Sequence, residues 1–447
     1  MKQLFTLVCF LLVAQSLRAD CWKVLSAGDY FSLGLQSDGS LWIWGKNTGN
    51  ALFADSNRYE GSSYPVRIGT DAYWRTVSAG QDHILGIRTD GSLWAWGSNS
   101  FGKLGIGTAG GLPVNAPRRI GSDTDWVAVS AGDNHSVALK SDGSLWAWGF
   151  NFQGALGDSS RVDKYVPTRI GTGNSWQMIS AGRDYTMAIK ANGSLWGWGY
   201  NNGRLGDGQS ANTIVPVQIG LDSNWRMVDA ASIHTMAIKT DSSLWATGGT
   251  GGVLGNGMSF SRSMVPVDSG HHWLSVTLGA SYTMALRANG TLWGWGTTYS
   301  ATPAQIGTAT NWSMISARNK HTLEMAADNS VWAFGWNIEG QVGDSSTMDR
   351  SLPVFVSKCA VANLAIPAAT TKESFAIYPN PVHDVLKVLH PSSAPISRME
   401  LMDLSGRSVA APELNSESVS TQHLAPGMYL VKIYSGAGHF SYKFVKE

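Results

Sequence analysis

A fixed spacing between tryptophans constrains this chain more than any other feature. Trp22, Trp74, Trp126, Trp176, Trp225, Trp273 and Trp312 are each followed 20 positions on by a second tryptophan, at Trp42, Trp94, Trp146, Trp196, Trp245, Trp293 and Trp332. From each partner to the next repeat the distance is instead 32, 32, 30, 29, 28 and 19 residues. A unit of constant length joined by spacers of variable length marks a repeat architecture, in which only the spacers are free to specialise.

The unit is plainest in WVAVSAGDNHSVALKSDGSLWAWG, residues 126–149. It holds three short β-rich runs. Asp142-Gly143, between the second and third, predicts a tight primed hairpin turn, whose positive φ angles Asp and Gly tolerate. Asp38-Gly39, Asp90-Gly91, Asn192-Gly193 and Asn289-Gly290 repeat the pair, while Asp241-Ser242 and Asp328-Asn329 depart from it. A Gly-x-Leu-Gly element follows, as at 154–157, and then a Pro-x-x-Ile run such as 167–170 that supplies a fourth strand. Side chains alternate along a strand, so Trp146 and Trp148 share one face while Leu145 and Ala147 share the other. The residue between the tryptophans is mostly small (Ala95, Ala147, Gly197, Ala246, Gly294 and Ala333, with Ile43 the exception), so a broad aromatic face can lie on the small-residue face of the next sheet. Four-stranded sheets stacked in this way close around an axis, and seven repeats predict an all-β, seven-bladed β-propeller at 20–359. Such a closed ring is expected to be monomeric.

With a formal charge of only +1 and 15% charged residues, the chain offers no basic field for nucleic acid. The first 19 residues read as a secretory signal: Lys2, an apolar run, and small residues near Ala19, with Ser16 as a competing cleavage site. Acylation of Cys21 is the alternative, but Asp20 precedes it where a small residue is wanted. No later segment has 18 consecutive apolar residues, so no transmembrane helix is expected. The chain has three cysteines, and Cys9 leaves with the signal. Cys21 and Cys359 fall where the ends of the ring must meet, and in an exported protein they read as a disulfide.

The repeat resembles the regulator of chromosome condensation repeat over residues 21–358. The resemblance implies seven blades and protein binding through one face of the ring. That family includes a nuclear exchange factor, membrane-traffic and ubiquitin-ligase subunits, and secreted bacterial inhibitors of β-lactamase. The departures are local. Ala231 and Arg318 replace the Gly of Ser-Ala-Gly, Thr247 and Phe334 replace the third tryptophan, and blade six lacks Gly-x-Leu-Gly. Residues 360–374, rich in Ala and Thr, read as a linker. Residues 375–447 resemble the type A sorting domain of type IX secretion substrates, a small β-sandwich, through Tyr378, Pro379, Asn380, Pro381, Gly406 and the run Leu424-Ala425-Pro426-Gly427-Met428-Tyr429. This resemblance implies recognition by the type IX secretion machinery, a Bacteroidota-type envelope, and a destination at the outer-membrane surface or in the medium after periplasmic transit.

Histidine recurs at one repeat position (His83, His135, His234, His321), alternating with Phe31, Tyr185 and Tyr282. Aromatic substitution and separation among blades favour packing over metal ligation, and no metal or cofactor is expected. The pair His271-His272 lacks a cysteine or carboxylate at ligand spacing. Asp38, Asp90, Asp142, Asp241 and Asp328 are accounted for by the hairpin position, and repetition offers no asymmetric carboxylate pair for glycoside hydrolysis. There is no phosphate loop and no Gly-x-Ser-x-Gly elbow, so an enzyme is not expected. Function is sought where the repeat does not dictate the residue. Trp336 is the one tryptophan of 20 outside a repeat position. Phe150 and Tyr200 occupy the equivalent point, with Phe101 and Phe152 one or two residues further on. These aromatics are candidate partner contacts, for protein or for glycan, and covering the propeller rim is the competing reading. A second candidate surface is the variable loop before the recurring histidine, from Asp29-Tyr30 to Asn319-Lys320. Two functional readings follow: a surface or secreted protein-binding scaffold (adhesin, assembly factor or inhibitor), or a carbohydrate-binding or polysaccharide-degrading propeller.

Overall fold

The structure, a computed structural model, describes residues 21–47, 61–268, 270, 272–358, 375–389, 396–403, 407–410, 413–414, 417–435 and 438–447. Cys359, His271 and Gly406 lie outside them, as do the signal and linker segments. The chain divides into two compact units, 1–361 and 362–447.

The first unit holds seven four-stranded antiparallel sheets, each with its strands in chain order. Blade one comprises β1 (Trp22–Ala27), β2 (Phe31–Gln36), β3 (Leu41–Lys46) and β4 (Gly61–Arg67), and blades two to seven span 74–120, 126–169, 176–218, 225–266, 273–305 and 312–357. The first strand of every blade lines the axis, where all seven converge on one narrow cavity.

The hairpin between the second and third strands corrects one expectation. It is a three-residue loop: Gly39 N donates to Gln36 O and Gln36 N to Ser40 O. Only its last residue has positive φ, at Gly39, Gly91, Gly143, Gly193, Ser242, Gly290 and Asn329. This is a type I turn closed by a bulge, not a primed turn, and Ser242 and Asn329 adopt it without glycine. The preceding Asp or Asn keeps negative φ and works through its side chain. Asp142 Oδ1 accepts from Ser144 N at 2.8 Å, and Ser144 Oγ accepts from Trp146 Nε1 at 2.9 Å. The turn thereby satisfies the indole of the second tryptophan, and the same indole bond recurs in all seven blades.

Blades adhere through apolar faces. Trp126 and Trp148 of blade three are buried against Leu85, Leu93 and Ala95 of blade two. The Gly-x-Leu-Gly connector caps the joint, for Trp148 Nε1 donates to Lys103 O at 2.9 Å and Trp198 Nε1 to Ala155 O at 2.9 Å. Blade six lacks this connector, and the residue facing the gap in blade seven is Phe334, which has no indole N–H to satisfy.

Around the axis, each innermost strand donates one amide to a side-chain oxygen of the preceding blade. The donors are Ala79, Ala131, Ala181, Ala230, Leu278 and Ala317, and the acceptors are Ser26, Ser78, Ser130, Ser180, Asp229 and Thr277, at 2.9 to 3.0 Å. Ala27 closes the circle on Ser316 Oγ at 2.9 Å. Blade seven also buries Leu323, Met325, Val331 and Ala333 against Trp22, Leu25 and Trp44 of blade one. The ring is thus closed by the same contacts that join its interior blades.

The second unit pairs a three-stranded sheet (Ala376–Tyr378, Val385–Leu389, Ser418–Ser420) with a four-stranded one (Glu413–Leu414, Ile396–Met402, Gly427–Ser435, Gly438–Lys446). Alternate residues of both, including Leu386, Val388, Met399, Leu401, Val431 and Ile433, form one core.

Candidate functional site

The recurring histidines join blades. His83 Nε2 lies 3.0 Å from Ser136 Oγ, His135 Nε2 2.9 Å from Thr186 Oγ1, His234 Nε2 3.0 Å from Thr283 Oγ1, and His321 Nε2 2.9 Å from Ser32 Oγ. Each of these hydroxyls gives its proton to a connector carbonyl, that of Lys103, Ala155, Val253 and Gln341 respectively. The imidazoles therefore donate through Nε2, which fixes the neutral tautomer. Burial pushes the pKa of His135, His234 and His321 down to about 3 and that of His83 well below its usual value. Tyr185 and Tyr282 reach the next blade in the same way, donating to the carbonyls of His234 and His321. Phe31, which has no donor, meets Ile84 where the other blades carry a hydroxyl.

One face of the ring gathers the variable residues. The amide at the start of each connector donates to the loop before the recurring aromatic 16 positions earlier: Lys46 to Tyr30 O, Ser98 to Asp82, Phe150 to Asn134, Tyr200 to Asp184, Gly249 to Ile233, Thr297 to Ser281 and Trp336 to Lys320. The two candidate surfaces of the sequence are one surface. On it, Phe101 of the blade-two connector stacks at a tilt on Phe150 of blade three, centroids 4.9 Å apart. Trp336 meets Tyr30 edge to face at 5.5 Å across the joint of blades seven and one, with the Lys320 ammonium over its ring. Tyr200 lies beneath the Arg204 guanidinium at 4.3 Å. Phe152 stands 62% exposed and Phe101 43%. Phe101 and Phe150 are thus brought together, whereas Tyr200 and Trp336 each belong to a separate cluster.

At the axis the face is closed by a residue noticed in the sequence only as a departure. Arg318, where other blades carry Gly or Ala, extends across the bore. Its Nε donates to Asp29 Oδ1 of blade one at 2.9 Å and its Nη2 to Asp133 Oδ1 of blade three at 2.6 Å. Burial raises the Asp29 pKa to about 6 against the opposing pull of Arg318. Asp229, lining the bore deeper, is raised to about 6 by burial although Ser180 Oγ and the amides of Leu278 and Ala230 donate to it. The cavity left on the axis is about 160 Å³. Its carboxylates hold Arg318 and the strand amides.

In the second unit, Asn380 ties the Tyr378–Pro381 motif to the last strand, accepting from Val445 N at 2.8 Å. Tyr429 donates to Ala425 O at 2.9 Å and stacks on Phe444. Among the described residues no helix is long and apolar enough to cross a membrane.

A family model described as "RCC1-like domain" matches residues 12–311, and one described as "Secretion system C-terminal sorting domain" matches 376–447. The probable E3 ubiquitin-protein ligase HERC6 of Homo sapiens is 32% identical over 146 residues, 31% of this chain and 14% of that protein. Protein RCC2 of Homo sapiens is 44% identical over 93 residues, 20% of this chain and 17% of its own. The chain therefore spans a small part of these relatives. Among solved structures, human WBSCR16 superposes with a TM-score of 0.65 at 18% identity, covering 71% of this chain and 94% of that one. Yeast RCC1 (Prp20), in its complex with Kap60, gives 0.50 at 18% identity, covering 76% of each chain. The sorting domain indicates export by type IX secretion to the cell surface or extracellular space.

Proposed function

The chain belongs to the RCC1-like domain family, and on that premise we propose that it is an extracellular protein-binding propeller. In this reading residues 1–19 are a cleaved signal, 20–359 the functional ring, 360–374 a linker and 375–447 the sorting domain of a Bacteroidota-type export route. Cys21, which is disulfide-bonded, takes Cys359 as its partner. The mature ring acts as a monomeric adhesin, assembly factor or inhibitor.

The observation that carries the proposal is the set of seven backbone bonds that bring the pre-histidine loops and the connector aromatics onto one face. A rigid ring presents Phe101, Phe150, Phe152, Tyr200 and Trp336 at little entropic cost, with Arg204 over Tyr200 and Lys320 over Trp336. Large rings beside arginine are the composition of protein-binding hot spots. The histidines and hairpin aspartates are committed to joints and turns, and the bore carboxylates Asp29 and Asp133 to Arg318.

The test is cross-linking and capture from the native secretome with the mature ring and with the triple variant Phe150→Ala, Tyr200→Ala, Trp336→Ala. A protein captured by the first and lost with the second, at unchanged thermal stability, supports the proposal. Binding on a glycan array that the same three substitutions abolish would replace it with the carbohydrate reading, for which the exposed rings of Phe101 and Phe152 also suit stacking on a sugar.

A further inference from the structure

Blades two to six each place a cation of their own over the first two tryptophans of the repeat. The distances from the charged group to the two ring centroids are 5.0 and 3.8 Å for Arg88, 4.8 and 4.8 Å for Lys140, 4.7 and 3.6 Å for Lys190, 4.8 and 3.9 Å for Lys239, and 4.7 and 4.0 Å for Arg287. In four of them a carboxylate from the preceding connector completes the pair: Asp71 for Arg88, Asp123 and Asp125 for Lys140, Asp222 for Lys239 and Asp268 for Arg287. Lys190 occupies the site without one of these connector carboxylates, held over both rings by its own strand.

Blade seven has the same two tryptophans, and among the described residues no cation lies over them; its Lys358 pairs with Asp328 at 3.2 Å instead. The strand position of Arg88 and Lys140 is Ala326, paired across from Trp312 as Lys140 is from Trp126. The connector position of Asp71, Asp123 and Asp222 is Ala309. What remains is a pocket of about 320 Å³ lined by Trp312, Trp332, Ala326, Ala309, Leu352 and Asp328. The carboxylate of Asp328, at its mouth, is held ionised down to about pH 2 by the Ser330 hydroxyl and amide and by Lys358. Behind Trp332, directly cross-strand, lies Glu324, fully buried, with neither carboxyl oxygen hydrogen-bonded among the described residues. Other blades carry Gly or Ala there. Burial raises the Glu324 pKa well above the usual carboxylate range, so it stands there as a neutral carboxyl. The cation site is the two tryptophan faces, with the Asp328 carboxylate, paired with Lys358, at its mouth, and a cation gains most over a desolvated indole.

We propose that the blade-seven pocket receives a lysine or arginine side chain from a partner polypeptide, seated where blades two to six hold their own. Ala326 lies at the hairpin end of its strand and His321 at the other, so the pocket opens away from the face assigned above. The two assignments therefore stand or fall separately.

The test uses the mature protein and four probes: N-acetyl-lysinamide, N-acetyl-argininamide, tetramethylammonium and the neutral N-acetyl-norleucinamide. Saturation-transfer NMR reads binding and tryptophan fluorescence reports occupancy. The expected result is saturable millimolar binding of the three cations and binding of norleucinamide weaker by about 5-fold or more. Ala326→Lys restores the residue that blades three to five carry, and it should weaken the cations by about 10-fold or more while leaving thermal unfolding unchanged. Ala326→Leu fills the pocket without charge and should produce the same loss, which keeps the test decisive if the lysine variant folds poorly. The proposal is overturned if norleucinamide binds as well as lysinamide, if the cations do not bind saturably, or if both variants bind them like the parent.

Discussion

Replacing His135 with tyrosine tests the assignment of the recurring histidines as neutral joints. Tyrosine occupies this position in blades four and six, where it lies over Gly182 and Gly279, and blade three offers Gly132 at the same place. The native imidazole is fully buried, and burial together with Arg318 lowers its pKa to about 3. An unfolded histidine titrates near 6.5, so the folded state binds fewer protons between those values. Its contribution is therefore complete above about pH 6.5 and is lost as the pH falls from there towards about 3. At about pH 5 the gap is roughly 1.5 units, or about 2 kcal/mol for this one residue. Asp29 and Asp229 act in the opposite sense, since their raised pKa values favour the folded protein as pH falls through about 6. They are common to both proteins and cancel in the comparison. The assay is urea unfolding of parent and His135→Tyr at about pH 7.5 and about pH 5, with m-values checked for equality. Between the two conditions the variant should lose about 2 kcal/mol less stability than the parent. Parallel pH dependence, within about 0.5 kcal/mol, would show that His135 is not a buried neutral donor and would refute the reasoning.

Arg318→Ala should cost about 3 kcal/mol in urea unfolding near neutral pH, because it removes the ion-pair partner of the partly buried Asp29 and leaves Asp133 only the more distant Arg183 at 4.0 Å. Burial raises the Asp29 pKa and Arg318 holds that rise to about 6, so without the arginine Asp29 takes up its proton at higher pH, and part of that loss should return as the pH falls towards about 6; a cost below about 1 kcal/mol would show that the arginine does not hold the bore. Reduction of the proposed Cys21–Cys359 bridge should remove about 5 kcal/mol of stability while near-ultraviolet circular dichroism stays native, since the joint of blades seven and one has its own apolar core. Loss of the aromatic signal on reduction alone would mean that the disulfide, and not packing, closes the ring. Ser144→Ala removes the acceptor of Trp146 Nε1 and should destabilise by about 1 kcal/mol in thermal unfolding, with no effect expected if that indole is solvated instead.

The propeller was legible because its information is periodic: the constant step from Trp22 to Trp42, repeated to Trp312 and Trp332, could only describe one unit copied seven times. The turn type was not, because Asp and Gly suit both a two-residue and a three-residue hairpin, and the Asp142 bond to Ser144 decides between them. The serine of Ser-Ala-Gly was visible as a repeated letter. Its role was hidden, because the amide it accepts lies 50 to 53 residues away, or 289 where the ring closes. Phe150 and the Asp133-Asn134 loop read as parts of two surfaces because strand pairing, and not sequence proximity, places them together. Arg204, which lies over Tyr200, carried no signal outside the fold, and Tyr30 was visible only as part of the pre-histidine loop, not as the ring that meets Trp336. Arg318 was seen only as a broken glycine, since nothing local shows that its side chain has the bore to cross.

Amide hydrogen exchange at Ala27 tests ring closure most directly. Its N–H donates to Ser316 Oγ, as those of Ala79, Ala131 and Ala181 donate to Ser26, Ser78 and Ser130. If the last blade is joined to the first like any neighbouring pair, all four amides should exchange at similar rates, through global unfolding alone. Exchange at Ala27 about 100-fold faster than at the other three would show an open seam and contradict the account.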